Sequence, residues 1–204
     1  MPVKLITDFS KKNKPINKLI RHIAQKVSEL VAINRLSLFQ EYLGKRILDI
    51  GLGGGSVSYL LKKNGFQVNN LDITNTSLYQ EISPTLYNGS DFPYKNAQFD
   101  TGIIICVLHH CADQEKVLKE AMRTCKRLII LEDTYRNQLE KILISMRDGV
   151  GNFEFYPHHY RSTNEWNQLF NKFYWHSIYI KEWSNISSYG MYGRQTLFVV
   201  ESKK

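Results

Sequence analysis

Cysteine is scarce in this sequence, with Cys106, Cys111 and Cys125 the three among 204 residues. An odd, sparse set does not make a disulfide framework. The opening MPVKLITDFSKKNK also lacks the apolar stretch of a secretory leader, so reduced thiols and a cytoplasmic setting are expected. Long apolar runs are missing as well. The longest, Ile103 to Leu108, falls far short of the roughly 18 residues that a membrane-crossing helix needs, so no transmembrane segment is expected. With Gly 12 and Pro 5, collagen-like and low-complexity architectures are excluded. Acidic residues are short at one end: residues 1–46 hold ten Lys and Arg against Asp8, Glu29 and Glu41, a surplus of seven in a chain whose net charge is +8. Such a segment favours an anionic contact without naming one.

What is present is an ordinary globular composition, 43% hydrophobic and 23% charged, in a length that suits a single domain. Pro15 fits a first helical turn, and Ile16, Leu19, Ile20, Ile23, Val27, Leu30 and Val31 recur at three- and four-residue steps. The simplest expectation is a helix with this stripe packed on a core and a solvated basic back. A lid over the ligand or a membrane-surface contact are the sharper alternatives. Residues 1–42 thus read as a basic helical cap on a domain spanning 43–204.

From residue 46 the pattern changes to short apolar runs separated by helical stretches, which predicts an α/β fold with a mostly parallel sheet. Arg46–Ile50, Gln67–Asp72, Thr101–Cys106 and Arg127–Glu132 are expected strands, with helices at Ser56–Lys63 and Gln114–Thr124. Ser162 or Thr163 can cap a helix through Trp166, Leu169 and Phe170. Trp175–Trp183 and Gln195–Glu201 follow with a loop containing Gly190 and Gly193 and no intervening helix, so the last strand should return antiparallel.

The chemistry is concentrated where the first strand, Ile47-Leu48-Asp49-Ile50, runs into Gly51-Leu52-Gly53-Gly54-Gly55 and a helix start. Glycine there permits positive φ and lets a ligand approach the backbone, while free helix N–H groups attract an anion. Asp72 ends the next strand 17 residues after Gly55, where a carboxylate can accept from two ribose hydroxyls. A dinucleotide fingerprint wants Gly or Ala where Ser56 stands, and it has no use for Asp49. A carboxylate before the first glycine suits instead a ligand with an ammonium group and a sulfonium.

The run Asp49 to Gly55 resembles motif I of the class I S-adenosylmethionine-dependent methyltransferases. Leu71-Asp72-Ile73 is similar to their ribose-binding motif. Tyr87-Asn88-Gly89-Ser90-Asp91-Phe92-Pro93-Tyr94 resembles the adenine loop, with Asn88 where the family usually has Asp. Phe99-Asp100 leads into a fourth strand and Val107-Leu108-His109-His110, and Arg127 to Asp133 resembles strand five. The likeness covers about residues 40 to 135, with a weaker echo in the last helix and strands.

It implies a Rossmann-like seven-stranded sheet with an antiparallel last strand, and a methyltransferase of the small-molecule, quinone-methylating branch. S-adenosylmethionine would contact Asp49, Gly51, Leu52, Gly53 and Gly55 at its methionine end, Asp72 and Ile73 at the ribose, Asn88 and Gly89 at the adenine, and Ile105 after strand four. His109 or His110 would take a proton from a small-molecule acceptor.

Cys106, His109, His110 and Cys111 lack the paired spacing of a zinc site, and no metal is expected, either there or at Glu132, Asp133, His158 and His159. Phe153 to Arg161 offers aromatic walls for a pocket. No specific nucleic-acid partner is expected, because the Asn/Asp-Pro-Pro-aromatic motif of base-amine methylases is absent after strand four. A nucleic-acid methyltransferase and a non-catalytic partner subunit are the alternatives.

Overall fold

The computed structural model describes residues 14–152, 158–186 and 192–202. A long helix, α1 (Lys14–Leu36), and a short 3-10 turn (Gln40–Tyr42) lead into β1 (Arg46–Ile50), α2 (Ser56–Lys63), β2 (Gln67–Asp72) and β3 (Thr85–Leu86). Next come β4 (Thr101–Ile105), a 3-10 turn (Leu108–His110), α3 (Gln114–Thr124), β5 (Arg127–Asp133) and α4 (Gln138–Asn152). The chain ends on α5 (Thr163–Lys172), β6 (Trp175–Ile186) and β7 (Tyr192–Ser202). The sheet has seven strands in the order β3-β2-β1-β4-β5-β7-β6. β7 runs against the other six strands, its Gln195 paired with Asp133 of β5 on one side and Trp183 of β6 on the other.

The central strands are buried on both faces, as continuous apolar strands in a helix-covered sheet must be. Leu48, Ile50, Ile104 and Ile130 point to one side, where Val117, Leu118 and Ala121 of α3 and Trp166, Leu169 and Phe170 of α5 cover them. Ile47, Ile103, Ile129 and Val199 point to the other, against Leu61 of α2 and Phe39. Phe39 is fully buried, so the segment after α1 is anchored inside the domain it precedes. Local sequence sets the helix starts: the Asp113 carboxylate accepts from the Lys116 N–H at 2.9 Å, and Ser162 with Glu165 forms a reciprocal capping box.

Two expectations change. The apolar stripe of α1 is not the face that packs: Leu19, Ile23, Val27 and Leu30 are 63, 54, 58 and 64% exposed. The helix instead lies on its small residues, with Ala24 against Leu52, Leu78, Tyr79 and Ile82, and Ala32 buried. Arg21 Nε and Gln25 Nε2 both donate to the Leu78 carbonyl, at 2.8 and 2.7 Å. Small side chains allow close approach and the two polar ones satisfy a loop carbonyl, so the contact at Leu78 does not use the exposed stripe. The second change is α4, a fifteen-residue helix absent from the expected elements. Residues 153–157 of the aromatic stretch and Gly190 lie outside the described residues.

Candidate active site

The parallel strands all end at one edge of the sheet, and the glycine loop crosses that edge between β1 and α2. Its three odd-numbered glycines sit at φ of 78°, 53° and 80°, in the left-handed region, but they serve different ends. A Cβ on Gly51 would lie 2.3 Å from Val107 Cγ2, so this glycine lets the β4 loop pack down. On Gly55 it would meet Ser77 Oγ at 2.9 Å. On Gly53 it would meet nothing within 4 Å. Gly53 is therefore where backbone faces open space, and its N–H donates to Asp72 Oδ2 at 3.2 Å. The Leu52 side chain is buried with Leu78, Tyr79 and Ile82, which leaves its backbone for any ligand.

Alternation along β1 turns Asp49 to the α2 side. The carboxyl is buried, with Ser58 Oγ 2.6 Å from its Oδ2. Ser58 Oγ also lies 2.7 Å from Asn70 Oδ1, while the Asn70 amide nitrogen donates to the Ser83 carbonyl. Burial pushes the Asp49 carboxyl up to about 7, the Ser58 hydrogen bond opposes this, and the charge of Asp72 adds to it. Asp72 is half-buried, its Oδ1 accepting from the Thr74 N–H at 3.2 Å.

Beyond it Ile73 is 61% exposed, an aliphatic surface fit for a flat ring, and Gly89 stands beside it, since a Cβ there would be 3.6 Å from Ile73 Cγ2. Asn88 is turned into its own loop. Its Oδ1 accepts from the N–H groups of Ser90 and Asp91 at 2.9 Å and from Ser90 Oγ at 3.0 Å. The expected acceptor role of that oxygen thus competes with three local donors.

At the end of β4, Ile105 is half-buried and Cys106 takes a φ of 54°, which turns the chain out of the strand. Glu132, buried at the end of β5, organises the turn beyond Cys106. Its Oε1 accepts from the N–H groups of Val107 and Leu108 at 2.9 and 2.7 Å, and its Oε2 lies 2.5 Å from His109 Nδ1. His109 is 2% exposed and stacks on Tyr160. Its ring is held in the turn by Glu132 and Tyr160. His110 is half-buried, with Nδ1 3.2 Å from His158 Nε2, and His158 Nδ1 is 3.3 Å from the Tyr160 hydroxyl.

Sequence reasoning missed the residues that α4 and α1 bring in. Arg147 of α4 reaches Asp133 at the end of β5, Nη2 to Oδ1 2.5 Å, with both side chains buried. This route passes directly over Gly193, where a Cβ would lie 1.6 Å from Arg147 Nη1. A cavity of about 460 Å³ opens between the end of α1 and the β6–β7 corner, lined by Val31, Arg35, Lys181, Trp183 and Gln195 among others. Gln195 Nε2 lies 3.7 Å from Cys106 Sγ, which ties this cavity to the end of β4. Only apolar periodicity in α1 hinted at it in the sequence.

Known proteins resemble this chain in sequence and in fold. Residues 48–128 match the family model of a methyltransferase domain. The ubiquinone biosynthesis O-methyltransferase of Paraburkholderia phymatum is 31% identical over 97 residues, which are 42% of this chain and 40% of that protein. The enzyme of the same name from Idiomarina loihiensis is 28% identical over 94 residues, 41% of this chain and 39% of that one. The match thus spans about two fifths of the length of these curated relatives.

Among solved structures, an S-adenosylmethionine-dependent methyltransferase from Methanosarcina mazei superposes with a TM-score of 0.64 at 18% identity, covering 81% of this chain and 96% of that one. A methyltransferase-like protein from Bacillus halodurans gives 0.67 at 12%, covering 82 and 98%. The 4+2 cyclase SpnF gives 0.65 at 11%, covering 87 and 81%. One fold therefore carries more than one reaction, and the site has to argue the function.

Proposed function

We propose that this chain is a class I S-adenosylmethionine-dependent methyltransferase that passes a methyl group from that cofactor to an oxygen, nitrogen or carbon of a small molecule. The observation that carries the reading is the join between Gly53 and Asp72: an open-faced glycine whose N–H is held by the carboxylate that ends β2, at 3.2 Å. Asp72 keeps lone pairs for two hydroxyls of a ribose. Ile73 and Gly89 offer a surface for a ring, and Asp49 stands beneath the loop for a cationic group. When bound, the cofactor supplies an electrophilic methyl on a sulfonium.

The chain's own contribution is alignment and exclusion of water, the main demand of a methyl transfer. The acceptor fits the cavity beside Cys106, between Trp183 and the cations Arg35 and Lys181. Its side chains suit a small planar acceptor with polar groups, and O-methylation of the kind named for the curated relatives is the reaction we favour. The base we propose for the acceptor's proton is His110, in the turn that follows β4, with His158 3.2 Å from its Nδ1. His109 and Glu132 position that turn.

Isothermal titration calorimetry with S-adenosylmethionine, its demethylated product and NAD tests the reading. Binding of the first two and none of NAD is expected. Saturable NAD binding with no response to the methyl donor overturns it.

A further inference from the structure

The stripe that α1 turns outward is a surface of a definite kind. At 100° per residue Leu19, Leu30, Ile23 and Val27 fall within an arc of about 80°, and the stripe runs about 16 Å along the helix. Ile33 and Val31, 51 and 44% exposed, widen it. Single exposed aliphatics need no explanation, but six on one helix face form a continuous apolar patch. Lys18, His22 and Lys26, all exposed, follow one border of that patch. The one acid on this helix, Glu29, is drawn inward, 3.3 Å from the Tyr79 hydroxyl and 3.2 Å from Lys26 Nζ. Ahead of the helix the sequence adds Lys4, Lys11 and Lys12 against Asp8.

We propose that this face seats the protein on the surface of an anionic phospholipid bilayer, with the aliphatics at the acyl boundary and the lysines at the headgroups. Charge decides the occupant. A second copy docking through the same face would set the lysine border, Lys18 and Lys26 with the lysines that precede the helix, against its own copy. An anionic lipid surface attracts each of those lysines while the apolar arc is withdrawn from water. Among the described residues no helix is long and apolar enough to cross a membrane, so α1 lies on the bilayer rather than through it.

The test is co-sedimentation of the full chain with large unilamellar vesicles of phosphatidylcholine alone or with about one third phosphatidylglycerol. Binding should be at least tenfold stronger to the anionic vesicles and should fall as salt rises. The double substitution Ile23→Glu with Leu30→Glu should reduce it a further tenfold or more while the circular dichroism spectrum stays unchanged, because neither side chain touches the interior. Lys18→Glu with Lys26→Glu should remove the preference for anionic lipid. No binding to anionic vesicles, equal binding to neutral ones, or binding indifferent to the glutamates overturns the proposal. So does a dimer by light scattering that Ile23→Glu with Leu30→Glu turns into a monomer, which would make the stripe a self-interface.

Discussion

Replacing Asp49 with asparagine should stabilise the ligand-free protein, and by an amount that grows with pH. Ser58 Oγ sits between Asp49 Oδ2 at 2.6 Å and Asn70 Oδ1 at 2.7 Å, and Asn70 is fixed the right way round by the bond from its amide nitrogen to Ser83. A hydroxyl has one hydrogen to give. The second comes from Asp49 itself when its carboxyl is protonated, which agrees with a pKa raised from 3.8 to about 7 by burial.

The folded state then holds this proton more tightly than the unfolded chain does. Stability is lost as pH rises from the unfolded value through the folded one, and the full penalty stands above about pH 7. A rise of about three units is on the order of 4 kcal/mol, of which about 2.5 kcal/mol falls between roughly pH 5 and pH 8. The amide introduced by D49N donates to Ser58 as the protonated acid does, and it does not titrate. Thermal melts of both proteins at the two pH values cancel every other ionisation. The advantage of D49N should widen by roughly 5–10 °C in Tm from the lower to the higher pH. A gap that is the same at both would mean that Asp49 is ionised throughout, and the hydrogen count would fail with it.

Asp72→Ala should weaken binding of the demethylated cofactor by about 1.5–3 kcal/mol, the scale of lost charge-assisted hydrogen bonds, or roughly 10- to 150-fold in Kd by calorimetry. An unchanged Kd in a folded variant removes Asp72 from the site. Gly193→Ala should drive the Arg147 guanidinium off Asp133, because its Cβ would lie 1.6 Å from Nη1 and 2.2 Å from Cζ. Breaking a buried pair costs about 3 kcal/mol or more, so Tm should fall by roughly 6–12 °C, and a drop under about 2 °C would show that Arg147 can move aside freely.

The sequence announced the placements that local chemistry determines. An apolar strand, four glycines and a helix start place Gly53 at the sheet edge whatever surrounds them, and Asp72 follows from the next strand's end. The parts it could not announce depend on distant partners. His109 and His110 are neighbours with the same side chain, but Glu132, twenty-three residues on, takes one of them into the core. Periodicity identified the apolar stripe of α1 correctly but not its direction, because Ala24, Ser28 and Ala32 on the opposite side look unremarkable until α2 and Leu78 are set against them.

The fourth helix was within reach. Asn137 Oδ1 accepts from the Glu140 N–H at 2.9 Å, a start signal visible as Asn137-x-x-Glu140, and Leu139, Ile142, Leu143 and Met146 carry the helical period. Gly149 and Gly151 obscured it. Strand β3 is two residues long and comes directly after Pro84, so no pattern could mark it.

The orientation of α1 also connects two surfaces that look separate. Its inward side is bound to the Leu78 carbonyl through Arg21 and Gln25, and the Leu78 N–H donates to the Gly54 carbonyl at 3.1 Å. The glycine loop is thus one residue removed from a helix whose other side is apolar, basic and exposed. Anything that fixes this helix from outside restricts the loop, and a ligand that orders the loop restricts the helix. Linkage makes such a coupling reciprocal: the factor by which a bilayer improves cofactor affinity equals the factor by which the cofactor improves bilayer affinity. A large aliphatic face packed inward would have anchored α1 to the core and insulated the loop from the surface. Polar contacts from Arg21, Gln25 and Glu29 to residues 77–79, between small residues, join the helix to the segment that carries the glycine loop.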